Sequence, residues 1–169
     1  ARNIYSAGND LQELIKDIHD LRKIEARKVE VTRESIGVPQ LVDHLMQTFK
    51  PMADQKGLAF ETVIDTGTPA IIQSDSQRLR QVLRNLLSNA IKFTTHGGVK
   101  LRAYIPVGGS SADGIAFDVI DTGIGIKEGD LRRVFEPFEQ IDSLIARQHQ
   151  GSGLGMPLTR SFIELHGGS

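Results

Sequence analysis

The sequence has no cysteine, which removes disulfides, thiolate nucleophiles and cysteine-ligated zinc in one step and suits a reducing compartment. It also lacks a charge excess of either sign. Its 20 Lys and Arg residues face 21 Asp and Glu residues, a net charge of -1, so a broad electrostatic footprint for nucleic acid is missing and none is expected as a partner. No apolar run approaches the roughly 20 residues of a membrane-spanning helix, so the chain reads as a water-soluble piece. The first residues do not follow the charged, apolar and small-residue order of a signal peptide, and there is no internal repeat or low-complexity tract. What is present is 39% hydrophobic and 24% charged residues over 169 positions, the composition of one globular domain with an appendage.

The appendage comes first. Over residues 3–24, Ile4, Ala7, Leu11, Leu14, Ile18 and Leu21 step by three and four, a heptad seam whose narrow stripe is expected to bury against partner helices. Val29 and Val31 alternate with charged neighbours and predict a short strand. A helix is predicted from about Pro39, with Leu41, Val42, Leu45, Met46 and Phe49 on one face and Pro51 kinking or ending it. Residues 60–65 read as a strand followed by a turn at Gly67 and Pro69. Asp75 stands where an N-cap belongs, ahead of a helix over 77–93 with the apolar stripe Leu79, Val82, Leu83, Leu86 and Ala90. Residues 99–105 and 115–119 alternate as two half-buried strands joined by a hairpin loop over 107–114, and a last helix begins after Ser152. The fold class is therefore α+β, several strands covered on one face by helices.

Three segments carry chemistry. Asn85, Asn89 and Lys92, spaced by four and three, share one stripe that flanks the apolar face of the 77–93 helix. Alone, such a stripe is a solvated surface as readily as a site. Residues 121–126 (DTGIGI) close a strand, and residues 151–155 (GSGLG) open a helix. Glycines at a helix start let backbone N–H groups approach phosphate oxygens, and the helix dipole favours negative charge there. Turn glycines with no ligand are the other reading.

Taken together, these segments resemble the ATP-binding catalytic domain of sensor histidine kinases, in the superfamily that includes gyrase, Hsp90 and MutL. Residues 83–94 (LRNLLSNAIKFT) are similar to the family's N box and residues 121–126 to its G1 box. Residues 135–138 (FEPF) are similar to the F box and residues 151–155 to the G2 box. The four stand in the family's order, the likeness covers nearly the whole chain, and residues 140–155 most resemble hybrid sensor kinases. The resemblance implies a Bergerat-type α/β sandwich, a mixed sheet covered on one face by helices, with ATP under a mobile lid over residues 140–150. It also implies that residues 1–27 are the C-terminal part of a dimerisation helix and its linker, and 28–169 the catalytic domain. Related domains continue into further strands beyond the Gly167-Gly168-Ser169 ending, so strands completing the sheet are expected to be missing.

By this resemblance Asp121 reads the adenine amine, and Asn89 holds Mg²⁺ bridging the ATP phosphates. Lys92 neutralises phosphate charge, and Phe93 counts with the nucleotide-binding residues. Gly123, Gly125 and Ile126 shape the adenine slot, while Gly151, Ser152, Gly153, Leu154 and Gly155 form the phosphate loop. Arg147 matches a recurring lid arginine that reaches the γ-phosphate, a solvated loop arginine being the other reading. Asn85 stands where the hydrolysing relatives usually carry a glutamate that activates water. An amide cannot be that base, so phosphoryl transfer to histidine is favoured over hydrolysis.

The implied partners are a second copy through the N-terminal helix, a histidine-containing dimerisation domain and a response regulator receiver domain. The implied location is cytoplasmic, with membrane anchorage of the parent left open. Two alternatives remain: a pseudokinase acting as a nucleotide-gated interaction module, and a superfamily ATPase working as a motor or clamp. His19-Asp20-Leu21-Arg22 imitates the phosphoacceptor box, but Lys23 and Ile24 stand where that box has Thr or Asn and then Pro. The strand expected near Val29 leaves no room for a returning helix, so His19 is not expected to accept phosphate.

Overall fold

The computed structural model describes residues 2–26, 30–108, 114–140 and 152–168. The chain divides into two units, Thr32–Gly125 and the pair Ala1–Val31 with Ile126–Ser169.

In Thr32–Gly125, β1 (Glu34–Gly37) runs directly into α2 (Val38–Gln55). Val31 is in no strand and Val29 lies outside the described residues. Among the described residues the first strand comes later, because pairing, not alternation alone, makes a strand. β1 finds an antiparallel partner in β3 (Ile71–Ser74), with Ile36 opposite Ile72. Pro39 sits in the first turn of α2, and Leu41, Val42, Leu45, Phe49 and Ala53 are buried, while Met46 is 36% exposed at the flank of that face. Pro51 does not end α2, which continues to Gln55. Gln47, whose carbonyl loses its N–H partner to the proline, is exposed, as Pro51 is, so the unmatched acceptor lies on the wet side.

The main sheet has the order β2 (Ala59–Ile64), β4 (Gly98–Tyr104), β5 (Ala116–Asp121). β2 and β4 are parallel and β4 and β5 antiparallel. The parallel pair needs a long crossover, supplied by β3 and α3 (Ser76–Phe93). Along β4, Val99, Leu101 and Ala103 are buried beneath α2 and α3, which contribute Leu45, Leu83 and Leu87 to the same core. Lys100, Arg102 and Tyr104 face the other way. There Lys100 pairs with Glu61 at 3.1 Å, and Arg102 Nε lies 3.1 Å from both Asp65 oxygens. The Arg102 guanidinium sits 4.6 Å from the Tyr104 ring centroid, and the Tyr104 hydroxyl donates to Asp118 at 3.1 Å. Hydrogen bonding from Arg102 holds the Asp65 carboxyl below its usual range, and the bond to Asp118 pushes the Tyr104 phenol up. These groups are solvated, so each pair adds little stability.

In the other unit, α1 (Arg2–Glu25) spans the predicted helix. Leu14, Ile18 and Leu21 of the seam are half-buried, whereas Asp20, off the seam, is only 5% exposed. The side chains of Ile4, Ala7 and Leu11 lie outside the described residues. α1 meets α4 (Gly155–Leu165), and two single turns, Glu128–Asp130 and Arg133–Phe135, precede α4. The middle of the predicted hairpin loop and the lid beyond residue 140 lie outside the described residues. Among the described residues no helix is long and apolar enough to cross a membrane.

Asp75 caps α3 as predicted and also ties down the start of the unit. One carboxylate oxygen accepts from Arg78 N at 2.9 Å and the other from Thr32 N at 3.2 Å, with the residue 7% exposed. Asp75→Ala removes both acceptors and is expected to cost about 1–3 kcal/mol. Urea denaturation measures it, and a loss below ~0.5 kcal/mol would show the cap to be idle.

Candidate functional site

α3 forms because its apolar residues recur at helical spacing behind an N-cap. Val82, Leu83, Leu87, Ala90 and Ile91 are buried, and Leu79 and Leu86 are half-buried beside them. The predicted stripe is thus present, with Leu87 and Ile91 added to it. Asn85, Asn89 and Lys92 are all half-buried on its flank. The Lys92 ammonium lies 5.1 Å from the Phe93 ring centroid, and burial pushes its pKa down from the usual lysine value. Among the described residues no carboxylate forms an ion pair with it. A cation partly withdrawn from water and lacking an anionic partner has room for an anion beside it.

The strand register brings Asp121 to this helix. Asp121 is opposite Val99, and alternation along β5 places it on the same face as Phe117 and Val119, which pack against the core beneath the helices. It is the last residue of β5 and is exposed. Asp121 Oδ1 accepts from Gly123 N at 2.8 Å, so the carboxylate is oriented by its own turn. Among the described residues its second oxygen accepts from none. The next contact joins turn and helix: Ile124 N donates to Phe93 O at 3.3 Å. Glycine is required between them, because a Cβ on Gly123 would lie 2.6 Å from Phe93 O and 2.7 Å from Asp121 Oδ1. Gly125 then takes φ 67°, the left-handed region that favours glycine.

Sequence reasoning passed over two further residues that hold this turn. Thr122 Oγ1 donates to His96 O at 2.8 Å and accepts from Gly98 N at 3.0 Å. Gly97, at φ 92°, would collide with Thr122 Oγ1 if it carried a Cβ. The glycine pair 97–98 after α3 was the available signal, but its partner stands 24 residues on.

The remaining predicted residues belong to the other unit. Ile126 is 47% exposed. Ser152 Oγ accepts from Leu154 N at 3.2 Å, Leu154 is fully buried, and Gly155 opens α4. Gly153 takes φ 69°, and its carbonyl accepts from Phe138 N at 3.1 Å, so the 135–138 segment meets the glycine loop. A Cβ at Gly153 would lie 3.0 Å from the Phe138 backbone, and Phe138 itself has φ 66°. Arg147 and Gly151 lie outside the described residues. Asn85, Asn89, Lys92, Phe93, Asp121, Gly123 and Gly125 are thus brought together in one unit; Ile126, Ser152, Gly153, Leu154 and Gly155 are in the other.

Known proteins resemble this chain in sequence and in fold. Residues 74–169 match the family described as histidine kinase-, DNA gyrase B-, and HSP90-like ATPase. Hybrid signal transduction histidine kinase B of Dictyostelium discoideum is 39% identical over 162 residues, covering 96% of this chain and 8% of that protein. The circadian input-output histidine kinase CikA of Synechococcus elongatus is 38% identical over 167 residues, covering 98% of this chain and 22% of that protein. The chain therefore spans less than a quarter of the length of these relatives. Full-length ShkA, solved in complex with AMPPNP, superposes with a TM-score of 0.83 at 30% identity, covering 97% of this chain and 33% of that one. This chain belongs to the histidine kinase-, DNA gyrase B- and HSP90-like ATPase family.

Proposed function

We propose that this chain binds Mg-ATP and transfers the γ-phosphoryl group to a histidine on a dimerisation domain outside it. The observation that carries this reading is the junction at Phe93, where the helix bearing Asn89 and Lys92 meets the glycine turn that follows Asp121. The open oxygen of Asp121 suits the exocyclic amine of adenine, and a guanine carbonyl would face it acceptor to acceptor. Lys92 answers the phosphate charge. The Asn89 amide oxygen would hold Mg²⁺. One neutral oxygen fits a cation that takes its other ligands from phosphates and water, and the metal would neutralise phosphate charge during transfer.

In the other unit, the resemblance gives the amides of Gly151, Gly153 and Gly155 a role on the phosphates, with Ser152 and Leu154 shaping the loop and Arg147 serving the γ-phosphate. Asn85 cannot deprotonate water, and a neutral imidazole needs no base before it attacks phosphorus. The heptad seam supports homodimerisation of the parent through α1, with residues 1–27 as the C-terminal part of the dimerisation helix and its linker. The hybrid kinase among the relatives supports a response regulator receiver domain as the next acceptor. The cysteine-free sequence suits a cytoplasmic location.

Calorimetry with Mg-ATP, followed by transfer from labelled ATP to a supplied dimerisation domain, tests the reading. Binding and transfer are both expected. Binding without transfer would point to a nucleotide-gated interaction module, and failure to bind would sink both. His19 is exposed on α1, but it lacks the residues that follow an acceptor histidine. The chain alone should therefore give no acid-labile, base-stable label, and stoichiometric label lost on His19→Gln would overturn that assignment.

A further inference from the structure

A helix ends with carbonyls that have no partner inside it, and all four at the end of α3 are matched from outside. Ala90 O accepts from Thr94 N at 3.1 Å and from Thr94 Oγ1 at 2.7 Å. Phe93 O accepts from Ile124 N at 3.3 Å. The two between them, Ile91 O and Lys92 O, both accept from the Lys56 ammonium, at 2.7 and 3.0 Å. Lys56 is the C-cap of α2, and its aim is set by how that helix ends. Leu58 N donates to Ala53 O at 2.9 Å, Gly57 N donates to Asp54 O at 3.0 Å, and Gly57 takes φ 68°. This is a Schellman ending, completed by the burial of Leu58 and Ala53. It delivers a cation to the negative end of the α3 dipole through two charge-assisted hydrogen bonds.

We propose that Lys56 is a positioning residue of the nucleotide site. Its role is to fix the last turn of α3, and with it Lys92 and the Phe93 carbonyl on which Ile124 rests. The proposal depends on the nucleotide-binding reading given above. Without the ammonium, two adjacent carbonyls lose their donor, the last turn frays, and the Phe93 carbonyl moves off the Ile124 N–H. The loss then reaches Asp121 through Gly123, although Lys56 is on another element.

The test uses the full 169-residue chain. Lys56→Met keeps the aliphatic stem and removes every donor, whereas Lys56→Arg keeps a forked cationic donor. Mg-ATP affinity is measured by calorimetry at a temperature where circular dichroism shows each variant folded, alongside hydrogen exchange at the Ile124 amide. Lys56→Met is expected to weaken Mg-ATP binding by roughly 3- to 10-fold and to speed Ile124 exchange, with Lys56→Arg within about twofold of the native chain. A lysine that only stabilises the fold would lower the melting temperature and leave both readouts unchanged; that result overturns the proposal. Should Lys56→Met not fold, Lys56→Gln, with a shorter neutral donor, is read by the same criteria. Absence of Mg-ATP binding by the native chain would remove the nucleotide site and this proposal with it. Native binding with an unaffected variant would remove the positioning role alone.

Discussion

Gly123→Ala should reduce nucleotide affinity by roughly 30- to 1,000-fold, the equivalent of about 2–4 kcal/mol. The added Cβ would stand 2.6 Å from Phe93 O and 2.7 Å from Asp121 Oδ1; the exposed Asp121 carboxylate can turn away only by giving up its bond to Gly123 N, and the Phe93 carbonyl is backbone that cannot retreat. Phe93 ends a helix whose face is buried in the core, and Asp121 is the last residue of a paired strand. The turn must open instead. Opening breaks the bond that orients Asp121 and the bond from Ile124 to Phe93, so the Asp121 carboxylate and the helix end lose their common reference. The Ala90, Ile91 and Val99 core lies behind this turn and does not depend on it, so a fall in melting temperature of only a few degrees is expected. Calorimetry with Mg-ATP beside a thermal melt separates the two effects. An affinity within about threefold of the native chain would mean that the turn plays no part in binding.

Asp121→Asn tests the same place without disturbing it. The asparagine amide oxygen can still accept from Gly123 N, so the turn is retained. The group presented to the ligand changes from an acceptor to an NH₂ donor. Against the adenine amine this sets donor against donor and removes a charged partner, a loss of about 1–3 kcal/mol or roughly 5- to 150-fold. The sign reverses for guanine, whose carbonyl accepts, so the preference for ATP over GTP should shrink as ATP affinity falls. Stability should be unchanged, because the local hydrogen bond survives. Full ATP affinity in the variant would remove Asp121 from the adenine site, and an unchanged ATP-to-GTP ratio would remove its role in base selection.

The elements that were legible in advance are those whose information is local. α3 has a cap, a long apolar stripe and a polar flank within one stretch, and β4 alternates cleanly between Val99, Leu101 and Ala103 and their charged neighbours. The pair β1 and β3 was not legible. Each is four residues long, and only their pairing, Ile36 against Ile72, makes them strands. Val31 shows the converse, a residue of an alternating pattern that stands in no strand. Pro51 does not end its helix for another reason: a proline on the wet side of a helix gives up a hydrogen bond to an exposed carbonyl rather than a buried one, and packing of Phe49 and Ala53 carries the helix past it.

The same division runs through the site. Sequence by itself determined which side chains could carry the chemistry: the Asn85, Asn89 and Lys92 flank, the acceptor Asp121 and the glycines of the two loops. Donor and acceptor character and helical spacing belong to the residues themselves and their near neighbours. Only the tertiary structure decided that Phe93 would receive the Asp121 turn, that Thr122 would clasp the glycine pair, and that Lys56 would cap α3. Those bonds span 24 to 36 positions, and nothing in the chemistry of a lysine or a threonine names its partner at that distance. Burial of the shared core brings them together and makes an unmatched carbonyl costly enough to specify which donor must arrive.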